Sequence, residues 1–122
     1  MLHLVQIVED DDTLRESLTQ AVGAFGYIVE GFGAVSQFFE TFARRPAACV
    51  VLDCEMPGLS ALDILSLLRF DGFEGPVILV SERIPEANLE AEVARLNGGP
   101  VVYQPFLPQQ LCDALSKAIG RL

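Results

Sequence analysis

Residues 50–58 read Val50-Val51-Leu52-Asp53-Cys54-Glu55-Met56-Pro57-Gly58, an apolar run that meets a carboxylate and then a turn. Three successive apolar residues closed by Pro and Gly predict a strand buried on both faces, with Asp53 delivered to its carboxyl end. In open α/β sheets that edge carries the chemistry. What matters next is which other side chains the chain brings to the same edge.

The flanking sequence repeats the pattern. Leu4 to Val8 is a short apolar run ending in Glu9, Asp10, Asp11 and Asp12. From Thr13 the apolar residues Leu14, Leu18, Ala21, Val22 and Phe25 fall at helical spacing, Thr13 and Glu16 match a capping box, and Gly26 ends the helix. Tyr27 to Glu30 reads as a second strand bounded by Gly31 and Gly33. Val35, Phe38, Phe39 and Phe42 then mark the core side of a helix that breaks near Pro46. Ala48 to Asp53 is the third strand, after which Ser60 caps a helix burying Leu62, Leu65 and Leu68 or their neighbours, closed by Gly72 and Gly75. Pro76 to Val80 is the fourth strand and runs into Ser81 and Glu82. Leu89, Val93 and Leu96 mark the fourth helix, which stops at Asn97-Gly98-Gly99. Val101 to Tyr103 is the fifth strand, and Leu111, Leu115, Ala118 and Leu122 give the last helix its inner face.

Five strands alternating with five helices over short connections call for a parallel sheet with right-handed crossovers and helices on both faces. In the flavodoxin-like strand order 2-1-3-4-5, strands one and three are neighbours at the switch point, so the acids that end them converge. The 122 residues are expected to form one domain, residues 1–122, large enough for a core without disulfides or a structural metal.

Composition excludes several roles. A formal charge of -9 argues against direct nucleic-acid contact, which needs clustered Lys and Arg. Cys49, Cys54 and Cys112 are an odd set without metal-ligand spacing and read as reduced thiols of a cytoplasmic protein. No apolar run reaches membrane-spanning length, and the start turns acidic too soon for a secretion signal.

Glu9, Asp10 and Asp53 in one crevice repel one another, so one holds a proton or a divalent cation binds among them. Mg²⁺ suits such a set, using carboxylates, waters and a backbone carbonyl such as that of Glu55. The cation would also shield Asp53 during in-line attack on a phosphoryl group. Asp11 and Asp12 are read as helix-capping and solvated acids instead.

Taken in order, Ile7-Val8-Glu9-Asp10-Asp11, Val51 to Gly58, the hydroxyl of Ser81 after strand four and Pro105-Phe106 after strand five resemble the receiver domain of two-component response regulators. The resemblance covers the whole chain. It implies a non-enzymatic signalling domain in which Asp53 takes a phosphoryl group from a histidine kinase or a phosphotransfer protein. Asp10 binds Mg²⁺ directly, Glu9 acts mostly through a water, and the Glu55 backbone carbonyl completes the protein ligands. Ser81 is the switch hydroxyl, and the Gln104-Pro105 bond is cis.

The sequence departs from the family pattern on the readout side. Gln104 stands where a Lys usually contacts the phosphoryl oxygens, and the sole Lys, Lys117, lies inside the last helix. A neutral amide forms bonds about half as strong as charge-assisted ones. Glu82 replaces a small residue after Ser81, with Arg83 beside it as a compensating cation, Val101 replaces an aromatic switch residue, and Ala61 replaces a Gly. The expected behaviour is phosphorylation with altered readout. Two other readings stand beside it. One is a phosphorylation-independent interaction module, pairing with a partner or a second copy through helix four, strand five and helix five. The other is a haloacid dehalogenase-like phosphatase, for which the Asp10 to Thr13 register is poor and no catalytic Lys is available.

Overall fold

The computed structural model describes residues 3–45, 47–82, 87–105 and 107–120, leaving out the side chain of residue 87. Its elements alternate strictly: β1 (Leu4–Val8), α1 (Asp12–Ala24), β2 (Ile28–Phe32), α2 (Val35–Arg44), β3 (Cys49–Asp53), α3 (Ala61–Phe70), β4 (Val77–Ser81), α4 (Ala87–Arg95), β5 (Val101–Tyr103) and α5 (Pro108–Ile119). All pairings are parallel and the sheet order is β2-β1-β3-β4-β5, the flavodoxin-like arrangement expected. No helix among the described residues is long and apolar enough to cross a membrane.

Alternation along the strands assigns each side chain to a layer. On one face Val5, Ile7, Cys49, Val51, Ile78 and Val80 meet Leu18 and Val22 of α1 and Leu111, Ala114 and Leu115 of α5. On the other, Val8, Val50, Leu52, Val77 and Leu79 meet Phe38 of α2, Ile64, Leu65 and Leu68 of α3, and Val93 of α4. Every residue of β3 and β4 is buried, which is why both read as unbroken apolar runs. The Phe38 ring is fully buried and packs against Phe32, Phe39 and Phe42 at centroid distances of 5.9, 5.0 and 5.5 Å. Cys49 and Cys112 are buried free thiols, and Cys54 is half-buried.

Three local expectations need correction. Asp11, one of the acids read as helix-capping, caps α1 in place of Thr13, its carboxylate accepting the Leu14 N–H at 2.9 Å, so the helix begins two residues earlier than the Thr13–Glu16 pattern suggests. β2 runs to Phe32 rather than stopping at Glu30, because β1 pairs with it residue for residue from Leu4↔Ile28 to Val8↔Phe32. Gly31 is thus inside the strand. A Cβ there would lie 2.9 Å from Thr19 Cγ2 and 3.2 Å from Arg15 Cγ, so glycine admits the side chains of α1 rather than breaking the strand. β4 includes Ser81, where the pattern placed the end at Val80. The α3 cap is as expected: Ser60 and Asp63 form a reciprocal capping box. Pro46, Arg83, Phe106 and Leu122 lie outside the described residues.

Arg69, near the end of α3, ties several segments at the pole opposite the strand ends. Its guanidinium donates to the carbonyls of Leu96 (2.8 Å), Asn97 (2.9 Å), Phe73 (2.7 Å) and Gly75 (2.8 Å). The loop leaving α3 and the end of α4 are thereby held by one side chain. Asn97, where α4 stops, has φ 56°, a left-handed conformation that Asn tolerates better than most residues.

Candidate functional site

The sheet order makes β1 and β3 neighbours, in register from Val5↔Cys49 to Val8↔Leu52, so the next residue on each strand meets at the carboxyl edge. There the carboxylates of Glu9, Asp10 and Asp53 bring oxygens within 4.8 Å of one another. Glu9 is only 2 % exposed and Asp53 6 %, whereas Asp10 faces solvent. The three acids singled out in the sequence therefore share one site.

Burial raises the pKa of both inner acids. Glu9 is pushed up to about 9, first by loss of water and then by the Asp53 carboxyl beside it. Asp53 is raised chiefly by burial too. The Glu9 Oε2 atom accepts the Asp11 N–H at 3.2 Å, while its Oε1 is buried with no hydrogen-bond partner among the described residues. A hard divalent cation suits this set: carboxylate oxygens in mutual reach, one of them a buried acceptor lacking a donor.

The second half of the site comes from β4 and β5. Ser81 is fully buried and pairs across the sheet with Tyr103. The Gln104 N–H donates to the Ser81 carbonyl at 2.7 Å, and the Gln104-Pro105 bond is cis as expected. Gln104 Nε2 is buried and has no hydrogen-bond partner among the described residues. Gln104, whose backbone is held to Ser81, thus offers an amide donor without a positive charge. Val101, at the position of the missing aromatic, is half-buried against the α2–α4 layer.

Sequence reasoning missed the Glu55 side chain. Glu55 was singled out for its carbonyl, yet its carboxylate bridges two donors: Ser81 Oγ–H to Oε2 at 3.2 Å and the Glu82 N–H to Oε1. The Glu55 N–H in turn donates to Asp53 Oδ1 at 3.0 Å. No periodicity signals this contact, since it joins a loop after β3 to the end of β4. Arg15 was missed as well. Its Nη1 donates to the Glu9 carbonyl at 2.9 Å, its Nη2 reaches Asp12 at 2.6 Å, and a Cβ on Gly33 would come within 2.8 Å of Nη1. Two glycines flanking the end of β2 were the available hint that a side chain passes there.

The sequence matches the family model for the response regulator receiver domain over residues 5–116. The chain belongs to that family. Nodulation protein W of Bradyrhizobium diazoefficiens is 32 % identical over 120 residues, covering 97 % of this chain and 52 % of its own length. Response regulator protein TodT of Pseudomonas putida is 29 % identical over 118 residues, covering 95 % and 51 %. The receiver domain spans about half the length of the curated relatives it matches. Among solved structures, chemotaxis protein CheY4 of Vibrio cholerae superposes with a TM-score of 0.89 at 16 % identity, over 97 % of this chain and 99 % of that one. A LuxR-family DNA-binding response regulator of Staphylococcus aureus gives 0.86 at 20 %, over 98 % and 100 %. These two show the fold. Receiver domains typically use Mg²⁺, and the acidic cluster of this one suits it.

Proposed function

We propose that residues 1–122 form one receiver domain of a two-component system, whose Asp53 accepts a phosphoryl group from a histidine kinase or a phosphotransfer protein. The observation that carries this reading is the buried cluster of Glu9, Asp10 and Asp53 at the carboxyl edge of β1 and β3. Asp10, Glu9, Asp53 and the Glu55 backbone carbonyl would hold Mg²⁺. When bound, Mg²⁺ supplies charge neutralisation for the transferring phosphoryl group. An Asp53 carboxylate oxygen attacks the phosphorus of the donor phosphohistidine, the P–N bond breaks, and its electron pair returns to the imidazole nitrogen. The Glu55 N–H, already on Asp53 Oδ1, holds the carboxylate for that attack. Ser81 would report the new group through its hydroxyl, and Gln104 Nε2 would donate to a phosphoryl oxygen where a Lys usually stands. Recognition without that cation is weaker, so the readout is altered.

On this reading the protein is a signalling partner and not an enzyme with a separate substrate. It works in the cytoplasm, makes no nucleic-acid contact of its own, and meets other proteins or a second copy through α4, β5 and α5. A second reading, a phosphorylation-independent interaction module, is favoured by one observation: the Ser81 hydroxyl is already engaged by the Glu55 carboxylate.

Incubation with Mg²⁺ and acetyl phosphate, followed by intact mass, separates the two. An adduct lost in Asp53→Asn supports the phosphoacceptor. The absence of an adduct when Mg²⁺ demonstrably binds favours the interaction module.

A further inference from the structure

The Glu55 carboxylate is an anion held in the place where an incoming anion is to be read. It sits two residues after Asp53 and is joined to it through the Glu55 N–H. Both its oxygens are satisfied by donors at the end of β4, the Ser81 hydroxyl and the Glu82 N–H. Each of these groups has a single proton to donate. Neither proton can serve Glu55 and a phosphoryl oxygen at once. Ser81 is fully buried, so solvent offers its hydroxyl no substitute partner.

We propose that the Glu55 side chain is an internal competitor of the phosphoryl group, holding the donors of Ser81 and Glu82 until an anion on Asp53 displaces it. The proposal rests on Asp53 being the phosphoacceptor. Displacement has two components. The Ser81 and Glu82 protons must change acceptor, which exchanges one charge-assisted bond for another at little net gain. The Glu55 charge must also leave the vicinity of a group bearing further negative charge, and a pair of like charges at about 4 Å repels by roughly 1 kcal/mol in water and about 4 near a protein surface. Glu55 thus raises the phosphoryl occupancy needed to turn Ser81. Together with the neutral Gln104 it makes the domain respond only to a strong or sustained donor.

The test uses the full chain with Mg²⁺, beryllium and fluoride as the phosphoryl mimic, comparing the native protein with Glu55→Ala and Glu55→Gln. Removing the carboxylate is expected to tighten binding of the mimic about tenfold, equivalent to about 1.4 kcal/mol. Glu55→Gln keeps an acceptor but no charge and is expected to gain a smaller factor. In the mimic-free protein, the Glu82 amide proton, bonded to a carboxylate, is expected to move upfield in Glu55→Ala. Unchanged or weaker mimic binding in both variants overturns the proposal, as does an unmoved Glu82 resonance. Failure of all three proteins to bind the mimic despite bound Mg²⁺ removes the phosphoacceptor reading instead, and the competition with it, even where the Glu82 signal moves.

Discussion

Replacing Glu9 by Gln should make the metal-free protein more stable and deaf to Mg²⁺. The side chain keeps its volume and an oxygen to accept the Asp11 N–H, now 3.2 Å from Glu9 Oε2, so packing and the start of α1 are preserved. What disappears is one of three carboxyl groups whose oxygens lie within 4.8 Å of one another. A like-charged pair at that separation repels by roughly 0.9 kcal/mol in water and about 3.5 at an effective dielectric of 20. If Glu9 instead takes up a proton, that uptake at neutral pH costs free energy too, and Gln removes it equally. A gain of about 1 to 3 kcal/mol is therefore expected, which for a domain of this size raises the melting midpoint by roughly 4 to 12 °C. Thermal unfolding of native and Glu9→Gln protein, with and without 10-fold steps in Mg²⁺, checks both halves of the statement. Native protein should gain stability with Mg²⁺ while the variant gains little. A variant that melts lower than native in the absence of metal, and still responds fully to Mg²⁺, would refute the reasoning.

Arg69→Ala removes the donor shared by four carbonyls and should cost about 2 to 3 kcal/mol, discounted for its partial exposure; a urea midpoint lowered by less than about 0.3 M would show the clamp to be idle. Gln104→Lys restores a cation at the position after β5 and should tighten beryllofluoride binding about tenfold by titration, with no change in affinity counting against Gln104 as a phosphoryl donor. Burial pushes the Cys49 thiol up to about 12, so at pH 8 about one molecule in ten thousand carries the thiolate, and iodoacetamide followed by peptide mass should leave Cys49 unmodified in the folded state. Because the folded protein holds that proton more tightly than the unfolded chain, whose thiol titrates near 9.0, its contribution is complete below that pH. It falls as the pH rises towards 12, where Cys49→Ser should show a flatter loss.

The layered fold was legible because β3 and β4 are buried on both faces, and a strand with no exposed side cannot be mistaken for an amphipathic one. The acids were legible for a related reason: a carboxylate ending an apolar run must emerge at the sheet edge, and neighbouring strands bring such ends together. Boundaries were harder. Gly31 reads as punctuation, yet its role is to let Arg15 and Thr19 cross the strand, a requirement imposed by a helix earlier in the chain. Thr13 and Asp11 are both competent caps, and only the backbone turn after Asp10 decides between them. The Glu55 bridge was invisible because a side-chain contact between a loop and a strand end has no period to read.

One consequence of the Arg69 clamp concerns motion. α4 is anchored at its end through the carbonyls of Leu96 and Asn97, while its beginning follows the chain from Ser81 and Glu82. A helix of 9 residues is about 13 Å long, so a shift of about 2 Å at its beginning corresponds to a tilt of roughly 8° about a fulcrum at its end. With that end held, a displacement of the beginning of α4 amounts to a tilt rather than a slide, and Arg69→Ala would remove the fulcrum.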